Sequence, residues 1–166
     1  GAQSAVLLHM LSQQRADLPV ILIDTGYLFP ETYRFVDELQ TRLDLNLKIY
    51  TPQVSSAWNV ARNGSLWESG AEGIQRYNQI HKVEPMQRAL KELKVRTWFA
   101  GLRREQSPTR ANLRIVDEQT LPSGHRLAKV SPLAFWTWKD VWSYMRVNEI
   151  EPLPLYDQGY LSIGCE

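Results

Sequence analysis

The stretch Val20-Ile21-Leu22-Ile23-Asp24-Thr25-Gly26, followed from Pro30 to Leu43 by a helical pattern, decides the fold class. Four apolar residues in a row make a short buried strand, and Pro30 lies near the first turn of the next helix, where a missing N–H costs little. Working outward, residues 2 to 14 read as a helix and Leu47 to Tyr50 as a second strand. Residues 55 to 63 and 70 to 79 read as short helices. Val83 to Leu93 is a clearer one, with Pro85 in its first turn and Met86, Ala89, Leu90 and Leu93 at helical spacing. The third apolar run, Thr97-Trp98-Phe99-Ala100-Gly101, follows at once, Leu127 to Val130 adds a strand, and Trp138 to Val147 is a helix started by Thr137. Short apolar strands separated by helices predict an α/β domain, three layers (α/β/α) around a mostly parallel sheet covered on both faces. No internal repeat is evident, and Glu151-Pro152-Leu153-Pro154-Leu155 reads as extended chain.

The 166 residues fit a single domain, 1–166, and 43% hydrophobic with 22% charged residues is globular composition, which argues against a disordered chain. Nineteen basic against eighteen acidic residues leave a formal charge of +1, which removes the strongest argument for nucleic-acid coating. No apolar run approaches the ~20 residues of a membrane span, and no signal peptide opens the chain. One cysteine, Cys165, excludes an internal disulfide or a four-cysteine cluster, and a cytoplasmic protein without membrane or nucleic-acid partner is expected. The chain opens directly on the helical pattern Val6, Leu7, Met10, Leu11, and Gly159 to Glu166 has the texture of an internal loop, so a fragment lacking its first strand is the expectation.

In such sheets ligands bind beyond the carboxyl ends of the strands. Three loops then matter. Gly1-Ala2-Gln3-Ser4 stands at a helix N-terminus with small residues that let backbone N–H groups approach an anion, although the same residues suit a plain helix cap. Asp24-Thr25-Gly26 offers a carboxylate acceptor for ribose or adenine donors and a glycine free to take a positive φ, or simply shapes a turn. The segment from Leu102 to Arg114 gathers Arg103, Arg104, Arg110 and Arg114 among Gln106, Ser107, Thr109 and Asn112, a set of planar cationic and neutral donors suited to an oxyanion. His81, Lys82 and Glu84 open a helix, where Glu84 suits the first turn in a structural role and Lys82 could reach an anion from that end. Trp136, Trp138 and Trp142 read as a buried helix face, His9 as a packed helix residue, and the three histidines have no metal-ligand spacing.

Asp24-Thr25-Gly26-Tyr27-Leu28-Phe29-Pro30-Glu31-Thr32-Tyr33, Lys82-Val83-Glu84-Pro85-Met86, Trp98 to Ser107 and Gly159-Tyr160-Leu161-Ser162-Ile163-Gly164 closely resemble the phosphoadenylyl-sulfate (PAPS) reductase family, in order and over nearly the whole chain. The resemblance implies an adenine-nucleotide alpha-hydrolase-like fold of the PP-loop ATP pyrophosphatase kind. It implies that Gly1, Ala2, Gln3 and Ser4 end a modified phosphate loop and that Asp24, Thr25 and Gly26 contact adenosine. Arg103, Arg104, Ser107 and Arg110 would hold the phosphosulfate end, with Lys82 near the same site.

The activity so implied is reduction of PAPS to sulfite and adenosine 3′,5′-bisphosphate in assimilatory sulfate reduction, with thioredoxin or glutaredoxin as electron donor, no bound cofactor, and a homodimeric assembly. In that family the nucleophile is a cysteine of a C-terminal Glu-Cys-Gly-Leu/Ile-His tail, which these 166 residues do not contain, so no catalytic residue is assigned. Iron–sulfur relatives that reduce adenylyl sulfate (APS) carry a Cys-Cys pair where this chain has Tyr77 and Asn78, and a cysteine at the place of Cys165; without the pair a four-thiolate cluster cannot close. A sulfate adenylyltransferase or another ATP pyrophosphatase shares the fold and the Asp-Thr-Gly loop, and the Arg-Arg-Glu-Gln-Ser run favours the reductases.

Overall fold

The computed structural model describes residues 1–122, 124–156 and 159–160. Cys165 and most of the Gly159–Gly164 motif lie outside them. The elements run α1 (Ala2–Ser12), β1 (Pro19–Ile23), α2 (Pro30–Leu43), β2 (Asn46–Tyr50), α3 (Ser56–Asn63), α4 (Gly70–Asn78), α5 (Glu84–Glu92), β3 (Thr97–Phe99), β4 (Val116–Thr120), β5 (Arg126–Val130) and α6 (Trp138–Val147). β1 pairs in parallel with β2, Pro19 opposite Asn46 and Ile23 opposite Tyr50, and β3 pairs in parallel with β5, Thr97 opposite Ala128. The Asp24 amide extends the first ladder by donating to the Tyr50 carbonyl, and the Ala100 amide extends the second by donating to that of Val130. Two parallel pairings among alternating helices give the α/β class that the apolar runs predict.

β4 is the element that apolar periodicity misses. Val116-Asp117-Glu118-Gln119-Thr120 is polar and acidic, a poor strand former by composition. It pairs antiparallel with β5 in register Glu118 to Ala128. Cross-strand chemistry replaces propensity here. Arg126 ion-pairs with Glu118, Trp98 Nε1 donates to Gln119 Oε1 at 3.1 Å, and the Lys129 ammonium stands over the Trp98 ring.

Burial corrects a second expectation. The strand Val20–Ile23 is half-buried rather than buried, and Ile49 and Phe99 on β2 and β3 are exposed. The fully enclosed core is instead helical: Ala2, Ala5, Val6 and Leu7 of α1 meet Phe35 and Leu39 of α2, Val141 and Met145 of α6, and Leu133. The apolar positions of α6 behave as their spacing predicts, Val141 and Met145 inside with Trp138 and Trp142 half-buried beside them.

The start of α6 is held by a reciprocal cap. Thr137 Oγ1 accepts from the Asp140 amide at 3.2 Å, and Asp140 Oδ2 accepts from the Thr137 amide at 2.7 Å. Thr137→Ala is expected to lower stability by about 1 kcal/mol in urea unfolding, the usual cost of losing such a cap.

Candidate functional site

Leaving β1, the chain turns through Asp24, Thr25 and Gly26. Asp24 Oδ1 accepts from the Gly26 amide at 2.8 Å, an Asx turn, and from the Tyr33 hydroxyl of α2 at 2.7 Å. Gly26 has φ +76°, and a methyl group there would lie 1.9 Å from Ser56 Oγ. Ser56, at the start of α3, donates from Oγ to the Thr25 carbonyl at 3.2 Å, and the Tyr27 hydroxyl donates to the Ser56 carbonyl at 3.2 Å. Thr25 is buried. The expected positive φ at Gly26 is therefore present, enforced by backbone geometry and by the approach of α3.

The same Thr25 carbonyl takes a second bond from His81. Residues Gln79–Val83 are wound as one π-helical turn between α4 and α5, and this turn carries His81, which is fully buried. His81 Nδ1 lies 3.0 Å from the Thr25 carbonyl oxygen and Nε2 lies 2.6 Å from Asn59 Nδ2. A carbonyl can only accept and an amide nitrogen can only donate, so the ring is neutral, protonated on Nδ1 and unprotonated on Nε2. Burial pushes the His81 pKa below its ordinary value, against the opposing pull of the Thr25 carbonyl, and Lys82 adds to the depression. The sign follows from linkage. As pH falls through the ordinary value of 6.5, the unfolded ring gains a proton that the folded ring resists, so stability present above that pH is lost on acidification. The drop in urea midpoint between pH 7.5 and pH 5.5 is expected to be smaller in His81→Asn than in the parent chain. Lys82, expected beside an anion, is exposed, with its ammonium 5.4 Å from the centre of the Tyr77 ring; that ring stacks on His81 at 4.8 Å.

The arginine loop follows β3. A Cβ at Gly101 would stand 3.0 Å from the Gln3 carbonyl, so this loop leaves the strand in backbone contact with the first turn of α1. The arginines then divide. Arg103 is 4% exposed; its Nη1 donates to Glu105 Oε2 at 2.8 Å and to the Trp136 carbonyl at 3.2 Å, and its guanidinium lies 5.1 Å from the centre of the Trp138 ring. Arg104 and Arg110 are half-buried and Arg114 is exposed. Arg104 donates from Nε to the Leu113 carbonyl at 2.9 Å and lies over Phe135, while Arg110 donates to Gln106 Oε1. That Gln106 oxygen also accepts from the Arg103 amide at 3.0 Å. Ser107 Oγ accepts from the Thr109 amide at 3.3 Å and shapes the turn Pro108–Arg110.

Glu105 is a residue that motif reading passes over. Its Oε2 accepts from Arg103 and, at 2.6 Å, from the Trp138 amide, which places a carboxylate at the N-terminus of α6. The first turn of α1 joins this cluster from the other side: the Ala2 amide donates to the Tyr156 hydroxyl at 3.3 Å, and the Tyr156 ring packs against Trp138 and Trp142. Of the first four residues Ala2 is buried, Gln3 half-buried, and Gly1 and Ser4 exposed. Trp138 thus belongs to a packed aromatic group under the arginine loop; Trp138 and Trp142 lie half-buried on α6 while Trp136 precedes the helix, so the expected buried helix face of three tryptophans is met only in part. His9 packs as expected, with Nδ1 2.9 Å from the Tyr144 hydroxyl. Among the described residues no group of three or more His, Cys, Asp or Glu side chains could hold a metal ion, and no helix is long and apolar enough to cross a membrane.

The structure gathers Gly1–Ser4, Gly101 and Arg103 in one cluster beyond β3, and builds Asp24–Gly26 with Ser56, Asn59 and His81 beyond β1. Both stand at carboxyl ends of parallel strands, the location where α/β domains bind nucleotides. Residues 1–166 match the phosphoadenosine phosphosulfate reductase domain family throughout, and the chain belongs to that family. A protein of Xanthomonas oryzae pv. oryzae named phosphoadenosine 5′-phosphosulfate reductase is 62% identical over 164 residues, 99% of this chain and 66% of its own length. One of the same name from Xylella fastidiosa is 57% identical, covering 99% of this chain and 67% of its own. The chain thus spans about two thirds of the length of these curated relatives. The crystal structure of a PAPS reductase from Candida auris in a phosphate complex superposes with a TM-score of 0.82 at 34% identity, covering 99% of this chain and 77% of that one. An FMN adenylyltransferase from Candida glabrata, solved with FMN and an ATP analogue, shares the fold at a TM-score of 0.66 and 18% identity, covering 99% of this chain and 52% of that one.

Proposed function

We propose that this chain, 1–166, is the nucleotide-binding domain of a cytoplasmic, thioredoxin-dependent PAPS reductase of assimilatory sulfate reduction, acting as a homodimer with thioredoxin or glutaredoxin as donor. The supporting observation is the arginine loop anchored by Gly101 against the first turn of α1. It brings the arginine-bearing segment and a helix N-terminus to one strand end, where a phosphosulfate anhydride needs fixed positive charge.

In this reading Asp24, Thr25 and Gly26 contact adenosine. Arg104 and Arg110, with Ser107, Lys82 and the Gly1–Ser4 turn, take the anionic groups, and Arg103 contributes charge from beneath while holding the loop. A cysteine thiolate supplied from the C-terminal tail of such reductases attacks the sulfur, an S–S bond forms as the S–O bond breaks, and adenosine 3′,5′-bisphosphate leaves. The arginines stabilise the charge that develops on the departing phosphate. A thiolate of reduced thioredoxin then attacks the cysteine sulfur, sulfite leaves with the electron pair, and the second thioredoxin thiol resolves the mixed disulfide.

Titration of the chain with adenosine 3′,5′-bisphosphate tests this directly. Arg104→Ala and Arg110→Ala are each expected to weaken binding by about 1.5 kcal/mol, roughly tenfold in Kd, for one lost charge-assisted contact. Unchanged affinity in both variants, or pyrophosphate release from ATP and sulfate by the parent chain, would overturn the assignment.

A further inference from the structure

We propose that His81, held as the neutral Nδ1–H tautomer by Asn59, is the positioning residue for the adenosine-binding loop at Asp24–Gly26. The inference rests on the nucleotide-binding reading above and adds to it how that loop is kept in shape. Beyond the Asp24 amide, which extends the β1–β2 ladder, no regular element fixes the loop, and its middle residue, Thr25, is buried with a carbonyl that must be satisfied. Two donors do this, Ser56 Oγ at 3.2 Å and His81 Nδ1 at 3.0 Å.

His81 is itself oriented from behind. Asn59 is 5% exposed and donates to His81 Nε2; Asn63 donates to Asn59 Oδ1 at 2.5 Å, and Arg76 donates to Asn63 Oδ1 at 2.9 Å. Every link in this chain runs one way, donor to acceptor, from a surface guanidinium to the Thr25 carbonyl. Turning Asn59 over would break its bond to Asn63, so the tautomer of His81 is fixed by geometry. The π-helical turn that carries His81 is a rare conformation that recurs at functional sites, and it lies between two ordinary helices.

Protonation of the ring would put a second N–H on Nε2, directly against the Asn59 amide donor, and the relay would open. The charged and titratable groups around the ring set how readily this happens. Lys82 comes from the π turn, Tyr77 stacks from α4, Tyr27 meets the ring edge from the loop itself, and Arg76 stands at the far end of the relay. Neither positive charge favours a protonated ring, so the loop keeps its shape at neutral pH and loosens on acidification.

The test compares His81→Leu, which removes the donor, with His81→Asn, whose amide keeps an N–H at the δ position. The probe is adenosine 3′,5′-bisphosphate, titrated between pH 5.5 and 8, alongside amide hydrogen exchange at residues 24–27. His81→Leu is expected to raise Kd about tenfold and to speed exchange at Gly26 and Tyr27 while exchange in β2 stays slow. His81→Asn is expected to restore affinity to within about threefold of the parent and to flatten the loss of affinity at low pH. Parent-like affinity and exchange in His81→Leu, or no recovery in His81→Asn, would overturn the proposal. If the parent itself fails to bind the nucleotide, the nucleotide-binding reading falls, and the exchange comparison alone still decides whether His81 orders the loop.

Discussion

Gly26→Ala is expected to lower the stability of the chain by about 2–3 kcal/mol. Two costs add. An alanine at φ +76° sits in the left-handed region, at about 1–2 kcal/mol. Its methyl group would also lie 1.9 Å from Ser56 Oγ, so that hydroxyl must swing away and forfeit its bond to the Thr25 carbonyl, at about 1 kcal/mol. Gly64→Ala isolates the first cost: Gly64 has φ +69° with nothing within 4 Å of its Cβ, so only the backbone penalty of about 1–2 kcal/mol applies. Urea unfolding of both variants checks the difference. Equal losses at the two positions would mean that Ser56 does not constrain the loop. Gly26→Ala is also expected to weaken binding of adenosine 3′,5′-bisphosphate, because the Thr25 carbonyl loses its Ser56 donor and the strained backbone loosens the turn closed by Asp24 and the Gly26 amide.

Arg103→Ala is expected to cost a similar amount, about 3 kcal/mol, for a different reason. Arg103 is buried, and its Nη1 satisfies both the Trp136 carbonyl and Glu105, so truncation strips a charge-assisted bond and leaves that carbonyl without its donor. It also removes a buried aliphatic stem and the guanidinium lying over the Trp138 ring. Arg103→Met keeps most of that stem and loses the hydrogen bonds, so it should recover about 1 kcal/mol of the deficit. Arg104→Ala removes a half-buried side chain lying over Phe135, whose ring is exposed, and is expected to shift the urea midpoint much less while lowering affinity more per unit of stability lost. A midpoint for Arg103→Ala equal to that of the parent would show that the residue is not the strut of the loop.

The contrast between these two arginines marks where sequence reading stops. Arg103 and Arg104 are adjacent and identical in type, and both fall on the family motif, so nothing in the sequence separates them. Only the packing of the loop onto α6 shows one turned inward against Glu105 and Trp138 and the other outward along Phe135. His81 is a similar case. Sequence reading places it beside Lys82 at the mouth of a helix, with a structural role for its neighbourhood, but its partners Thr25 and Asn59 are 56 and 22 residues away in the chain. A hint was present in a histidine next to a lysine within the resembling motif, and it does not say which carbonyl the ring serves.

Local signals did settle a great deal. The helix Pro30–Leu43 and the strand through Val20 to Ile23 are legible because apolar spacing and a first-turn proline act within a few residues. The family is legible because its motifs recur in order along the chain, and the Asp24–Gly26 turn because an aspartate two residues before a glycine closes on itself. Tertiary structure alone decided the acidic strand β4, which is held by its ladder with β5 and by the bond from Trp98 to Gln119 rather than by any apolar pattern of its own. It alone moved the enclosed core from the strands to α1, α2 and α6, and it alone assigned Arg103, Glu105 and His81 their separate tasks. The physical reason is one of range: capping, turn geometry and periodicity are properties of neighbouring residues, whereas the satisfaction of a buried carbonyl or guanidinium depends on which distant segment is brought against it.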